Sequence, residues 1–86
     1  MVQFKYQYKG EILDASYDHY LHEGYNRYRV FLPDGQIFVV ARLGVDPRIW
    51  MQSTFSLEEL TYPPDFIQAV GEGIDKIGAS GVSPTV

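Results

Sequence analysis

Residues 2–9, VQFKYQYK, alternate without a fault. Val2, Phe4, Tyr6 and Tyr8 fall on one side, and Gln3, Lys5, Gln7 and Lys9 on the other. Nothing else in an 86-residue chain limits its fold as much. A period of two belongs to a β-strand with one buried and one wet face, so the chain has to provide both partner strands and a cover for the apolar side.

The partners follow in order. Lys9-Gly10-Glu11 supplies a tight turn, and residues 12–20 place Leu13, Ala15 and Tyr17 against Asp14, Ser16 and Asp18. The HEGYN stretch, residues 22–26, breaks the pattern; Gly24 and Asn26 are its two residues suited to positive φ. RYRVFL, residues 27–32, predicts a third strand with Tyr28, Val30 and Leu32 in register and Arg27 and Arg29 facing out. Pro33-Asp34-Gly35 is the clearest turn signal: proline presets φ, aspartate tolerates the turn and glycine takes the left-handed position. QIFVVARL, residues 36–43, is apolar on both faces, as in a strand covered on both sides. Residues 44–47 turn again, and RIWMQ, residues 48–52, predicts a short fifth strand.

The remainder changes period. Ser56 and Glu59 have capping-box spacing, but no long helix follows them. After Pro63-Pro64, the residues Phe66, Val70, Ile74 and Ile77 recur at intervals of four, four and three, with Ile67 beside them. That spacing predicts a helix over 64–77 with one apolar stripe. Pro64 fits its first turn, Asp65 its positive end, and Gly78 a left-handed cap. The expected fold is α+β: an antiparallel β-meander of four to five strands, with one C-terminal helix across one face. A sheet curled toward a partial barrel is the structural alternative. Residues 1–78 are expected to form a single domain, with 79–86 a flexible tail.

The one stretch that looks like chemistry is GEGIDKIGAS, residues 71–80. Gly73 and Gly78 have phosphate-loop spacing, but Ala79 stands where that loop needs lysine. Read as a dinucleotide fingerprint, Gly71 and Gly73 need a third glycine where Lys76 stands. Both motifs also require a strand before and a helix after. The glycines are therefore read as helix positions that allow close backbone approach, and no cofactor is expected.

His19 and His22, flanked by Asp18 and Glu23, are a weak candidate for a metal site, since imidazoles and carboxylates ligate divalent cations. Two histidines leave such a site short of three ligands unless a carboxylate turns inward, and a solvated hairpin tip is the plainer reading. The chain has no cysteine, which excludes disulfides and thiolate metal sites. No serine has a recognisable partnership with histidine and aspartate, and Glu58 and Glu59 are adjacent, so they cannot act as a dyad. Catalysis is not expected.

Charge narrows the partners. The first 43 residues are neutral, whereas residues 44–86 carry two basic and six acidic groups, for a net charge of −4. Nucleic acid needs clustered Lys and Arg, and these are absent; Arg27 and Arg29 form the one local pair. No apolar run approaches the roughly 20 residues that span a bilayer, and the N-terminus is unlike a signal peptide. The expectation is a soluble cytoplasmic protein.

Seven tyrosines raise the aromatic share to 15%. Most serve to fill a small sheet's core and cross-strand pairs. Those expected on the wet face, Tyr20, Phe31, Phe38 and Val40, together with Tyr25 and Trp50, are the candidate ligand or partner surface. The leading expectation is a non-enzymatic interaction module acting through its aromatic-rich sheet, with another protein or with itself as a homodimer. The alternative is a small-ligand binder or minor enzyme. A pocket between sheet and helix, several hundred Å³ in volume and lined by Tyr, His and Arg, would favour it, since ligand sites run from about 300 to 1,000 Å³.

Overall fold

The computed structural model describes residues 1–53 and 61–79. Five strands run in sequence order: β1 (Val2–Tyr8), β2 (Glu11–His22), β3 (Tyr25–Phe31), β4 (Ile37–Arg42) and β5 (Trp50–Gln52), followed by the helix α1 (Pro64–Ala79). All neighbours pair antiparallel, in the order β1-β2-β3-β4-β5, and the sheet curls into a half-barrel. The expected α+β meander is what the chain forms. The Ser56/Glu59 capping spacing and residues 80–86 of the expected 79–86 tail lie outside the described residues; Ala79, the first of that tail, is the last residue of the helix.

The first two turns close on two residues each. Lys9 and Gly10 have φ of 50° and 80°, and Glu23 and Gly24 have φ of 53° and 83°. Positive φ at both central positions gives a turn whose twist matches that of the flanking strands. Asn26 was expected at positive φ; instead it is the second residue of β3, and its side chain contacts His19 across the hairpin. At the third turn Gly35 takes φ 94°, as the Pro-Asp-Gly signal predicts.

Register decides which residues are inside. Phe4 pairs with Ala15, Tyr17 with Val30, Val30 with Phe38, Tyr28 with Val40 and Arg42 with Trp50, so these residues share one face. That face carries the core, completed by Ile67, Val70 and Ile74 from the helix. Phe38 is 5% exposed and Val40 0%. Both were expected on the face opposite Tyr28 and Val30; they lie on the same face. β4 enters the ladder with Phe31 opposite Ile37, which places Ile37 and Val39 outward. The curl therefore hides Phe38 and Val40, and no second copy is needed to cover them.

The helix stripe falls where its spacing predicts. Ile67, Val70 and Ile74 are buried, with Phe66 and Ile77 half-buried beside them. The Pro63 carbonyl accepts the N–H groups of Phe66 and Ile67, which begins the helix. The helix then runs through Gly78 to Ala79, so Gly78 is a helical residue and not a cap.

The helix spans the open side of the half-barrel, packing on both edge strands, β1 and β5. Its two inner glycines make this fit. A Cβ at Gly71 would enter the Trp50 indole, and one at Gly73 would lie 2.6 Å from the Lys5 carbonyl oxygen and 2.8 Å from Tyr6 Cβ. Gly71 thus faces β5 and Gly73 faces β1. The phosphate-loop lookalike is two close approaches, one to each edge of the sheet.

Polar side chains finish the β5 edge. The Gln68 amide accepts the Trp50 backbone N–H at 2.9 Å and donates to the Arg48 carbonyl at 3.0 Å. One side-chain amide thereby does what a neighbouring strand would do, and the edge is shielded from pairing with another chain.

Candidate functional site

The outer face of the sheet, turned away from the helix, is built from the alternate residues of the same strands. β2 contributes Asp18 and Tyr20, β3 contributes Tyr25, Arg27, Arg29 and Phe31, and β4 contributes Ile37 and Val39. Tyr20 stands directly across from Arg27, and Asp18 from Arg29.

The two arginines lie over aromatic rings. The Arg29 guanidinium carbon is 5.0 Å from the centre of the Tyr20 ring, and that of Arg27 is 5.7 Å from the Tyr25 ring. Both distances are within cation–π range. Arg42 and Arg48 are each paired with an aspartate, Asp75 and Asp46. Among the described residues, no carboxylate stands within salt-bridge reach of Arg27 or Arg29. The Arg27 Nε is also cut off from solvent without a hydrogen-bond partner. Two guanidinium groups thus lie over rings and, among the described residues, form no salt bridge.

Around them the surface is apolar in part. Tyr25 is 65% exposed and Ile37 58% exposed, while Tyr20, Phe31 and Val39 are half-buried. Of the residues expected to form a binding surface, Tyr20, Tyr25 and Phe31 come together here. Phe38, Val40 and Trp50 do not, because all three are core. Trp50 is fixed by packing on Tyr28 at 5.3 Å and by an indole N–H bond to Asp75. Ile37 was missed, since one step of register separates it from Phe38. Alternation of the arginines with Tyr28 and Val30 already placed Arg27 and Arg29 outward.

A depression of about 550 Å³ adjoins this patch, bordered by Val2, Tyr17, Asp18, His19, Tyr20 and Arg29. Burial, and then the neighbouring Tyr28, push the Tyr17 hydroxyl above the usual tyrosine range. A larger cavity, about 900 Å³, lies between the sheet and the helix and is bordered by Phe4, Ala15, Leu32, Gly73 and Ile77 among others. No Tyr, His or Arg lines it. The lining expected of a ligand pocket between sheet and helix is therefore found in the open depression and not between the layers.

His19 and His22 sit three residues apart on one strand, so they point to opposite faces. His19 stacks on Tyr28 at 5.0 Å and meets the Asn26 side-chain oxygen at 2.7 Å through Nε2. His22 lies 3.7 Å from the Glu23 carboxylate. Among the described residues no three His, Asp or Glu side chains converge as metal ligands would. No helix among them is long and apolar enough to cross a membrane.

Compared with known proteins, the chain matches no family model, no curated protein and no solved structure.

Proposed function

We propose that this protein is a non-enzymatic interaction module whose docking surface is the outer face of β2–β4, and that it receives an acidic segment of a protein partner. One observation carries the reading: Arg27 and Arg29 lie over Tyr25 and Tyr20 and, among the described residues, neither forms a salt bridge with a carboxylate. A guanidinium fixed by a ring presents its donor fork at little entropic cost, and a carboxylate matches that fork bidentately. Exposed Tyr and Arg beside half-buried apolar residues are also what the centres of protein interfaces use. Two arginines on a chain of net charge −4 are too few to track a nucleic-acid backbone.

The test is capture from the source cell by chemical cross-linking, with the wild type and the Arg27→Glu/Arg29→Glu double variant compared side by side. The wild type is expected to retain a partner through an acidic stretch, and the folded variant to lose it. Equal capture by both proteins would remove the outer face from consideration.

The depression beside Tyr20 and Arg29 favours a second reading, a site for a small aromatic carboxylate, because its volume is within the range of ligand sites. A thermal-shift series with benzoate and its hydroxylated relatives separates the two. Stabilisation that is lost in Arg29→Ala supports the ligand, and an unmoved melting temperature leaves the protein partner.

A further inference from the structure

β3 turns Arg27, Arg29 and Phe31 outward as alternate residues of one strand. Alternate residues of a strand stand about 7 Å apart. The row therefore presents two guanidinium groups and then an apolar ring at even intervals. Arg29 is exposed, and Phe31, half-buried, is joined on its far side by its register partner Ile37, which is exposed.

The two flanks of the row differ. On the β2 side Asp18 stands across from Arg29 and repels an incoming carboxylate. On the β4 side the residue across from Arg29 is Val39, which does not. An acidic occupant is therefore steered along β3 toward its β4 side, where Ile37 and Val39 lie.

Three points in a straight row favour one conformation of that occupant. An extended segment has the same period as β3, so its residues i, i+2 and i+4 meet all three points without drift. In a helix, residues i, i+4 and i+8 advance about 6 Å at each step and turn progressively off the line.

We infer, building on the reading of this face as the receiver of an acidic segment, that the occupant is extended, with acidic residues at i and i+2 and an apolar residue at i+4, in either chain direction. The first acid meets Arg27, the second meets Arg29, and the apolar side chain packs on Phe31 and Ile37. Selection comes from the spacing. Adjacent acids on an extended segment point to opposite sides, so one arginine would be left without its carboxylate. A second copy of this chain does not supply the motif, because none of its eleven acidic residues lies two positions from another. The segment belongs to a different protein.

The experiment titrates the whole protein with short synthetic peptides of one composition, two Glu and one Leu among Ser and Thr, and follows its backbone amide shifts. Expected are shifts concentrated in residues 27–31 and 37–39 with the alternate-acid peptide. Placing the two acids side by side should weaken binding about tenfold, the cost of one charge-assisted pair. Arg29→Glu, at an exposed position, should abolish binding of the alternate-acid peptide. A peptide with Lys in place of the acid nearer Leu should restore it, and one with Lys at the other acid should not. Equal binding of alternate and adjacent acids, lost together in Arg29→Glu, overturns the spacing and leaves the acidic-segment reading standing. Tighter binding of acids four apart in a helix-forming peptide overturns the extended conformation. No shift with any of the peptides overturns both the motif and the reading on which it rests.

Discussion

The Asp75 carboxylate on the helix accepts the Trp50 indole N–H at 3.1 Å through Oδ2, and its Oδ1 pairs with Arg42. Arg42 in turn lies 4.5 Å over the Trp50 ring, and the two residues are register partners across β4 and β5. One helical side chain therefore fixes both members of a cross-strand pair at the sheet's last edge. Asp75→Ala removes both bonds and should cost about 1–3 kcal/mol, the usual range for a polar group left without its partner. Asp75→Asn keeps an acceptor for the indole and should cost less. Urea unfolding of the two variants checks the order, and equal losses would mean that the indole hydrogen bond contributes nothing.

Gly71 and Gly73 invert an ordinary rule. Replacing a helical glycine by alanine stabilises an exposed helix by about 1 kcal/mol. Here the added methyl meets the Trp50 ring at Gly71 and the β1 backbone at Gly73. Overpacking of this kind costs about 1–3 kcal/mol, so both substitutions should lower the melting temperature. A stabilised Gly73→Ala variant would show that the helix is free to move off β1.

Val70 is fully buried on the helix stripe. An aspartate there has no partner, and burying an unpaired charge costs several kcal/mol. Val70→Asp should therefore leave the chain largely unfolded, while Ile77→Asp, at the half-buried end of the stripe, should be milder. Circular dichroism of the two variants tests the gradient.

Three tyrosines set an alkaline limit. Burial raises Tyr6 above its ordinary value of 10.0, with Asp34 and Tyr62 adding to the shift. Tyr62 is raised by burial and then by Asp34, and Tyr17 by burial and then by Tyr28. The folded protein thus holds these protons at a pH where the unfolded chain has released them. This contribution to stability is fully present below pH 10.0 and is lost as the pH rises through the folded-state values. Urea midpoints measured from about pH 8 to about pH 11 should fall above the ordinary tyrosine range. The fall should be shallower in Tyr6→Phe, and an identical slope would place the alkaline loss elsewhere.

Most of the architecture was legible because period and turn chemistry agree. β1, the two-residue hairpins and the helix stripe each follow from local spacing. The candidate surface was less legible, since it depends on how β4 enters the ladder. Phe38, Val39 and Val40 are all apolar, so alternation says nothing about which of them points inward. The pairing Phe31↔Ile37 settles it, and that pairing depends on a turn closed between Leu32 and Gln36. The role of Gly71 and Gly73 was legible only in outline. A close approach was readable, but the particular strands approached depend on the curl of the sheet.

Ile37 and Phe38 make the sharpest test of that register. They are adjacent in sequence, yet Ile37 is 58% exposed and Phe38 only 5%. Phe38 packs on Tyr62 at 4.5 Å and on Phe66 at 6.0 Å, inside the cluster that joins sheet to helix. Phe38→Lys should cost at least the 3–5 kcal/mol typical of emptying a large aromatic position, with the burial of a charge added. Ile37→Lys should change stability by no more than about 0.5 kcal/mol, as surface substitutions do. A slip of one residue between β3 and β4 would exchange the two outcomes. Chemical denaturation of both variants decides the matter, and a stable Phe38→Lys with an unfolded Ile37→Lys would turn the face of β4 around.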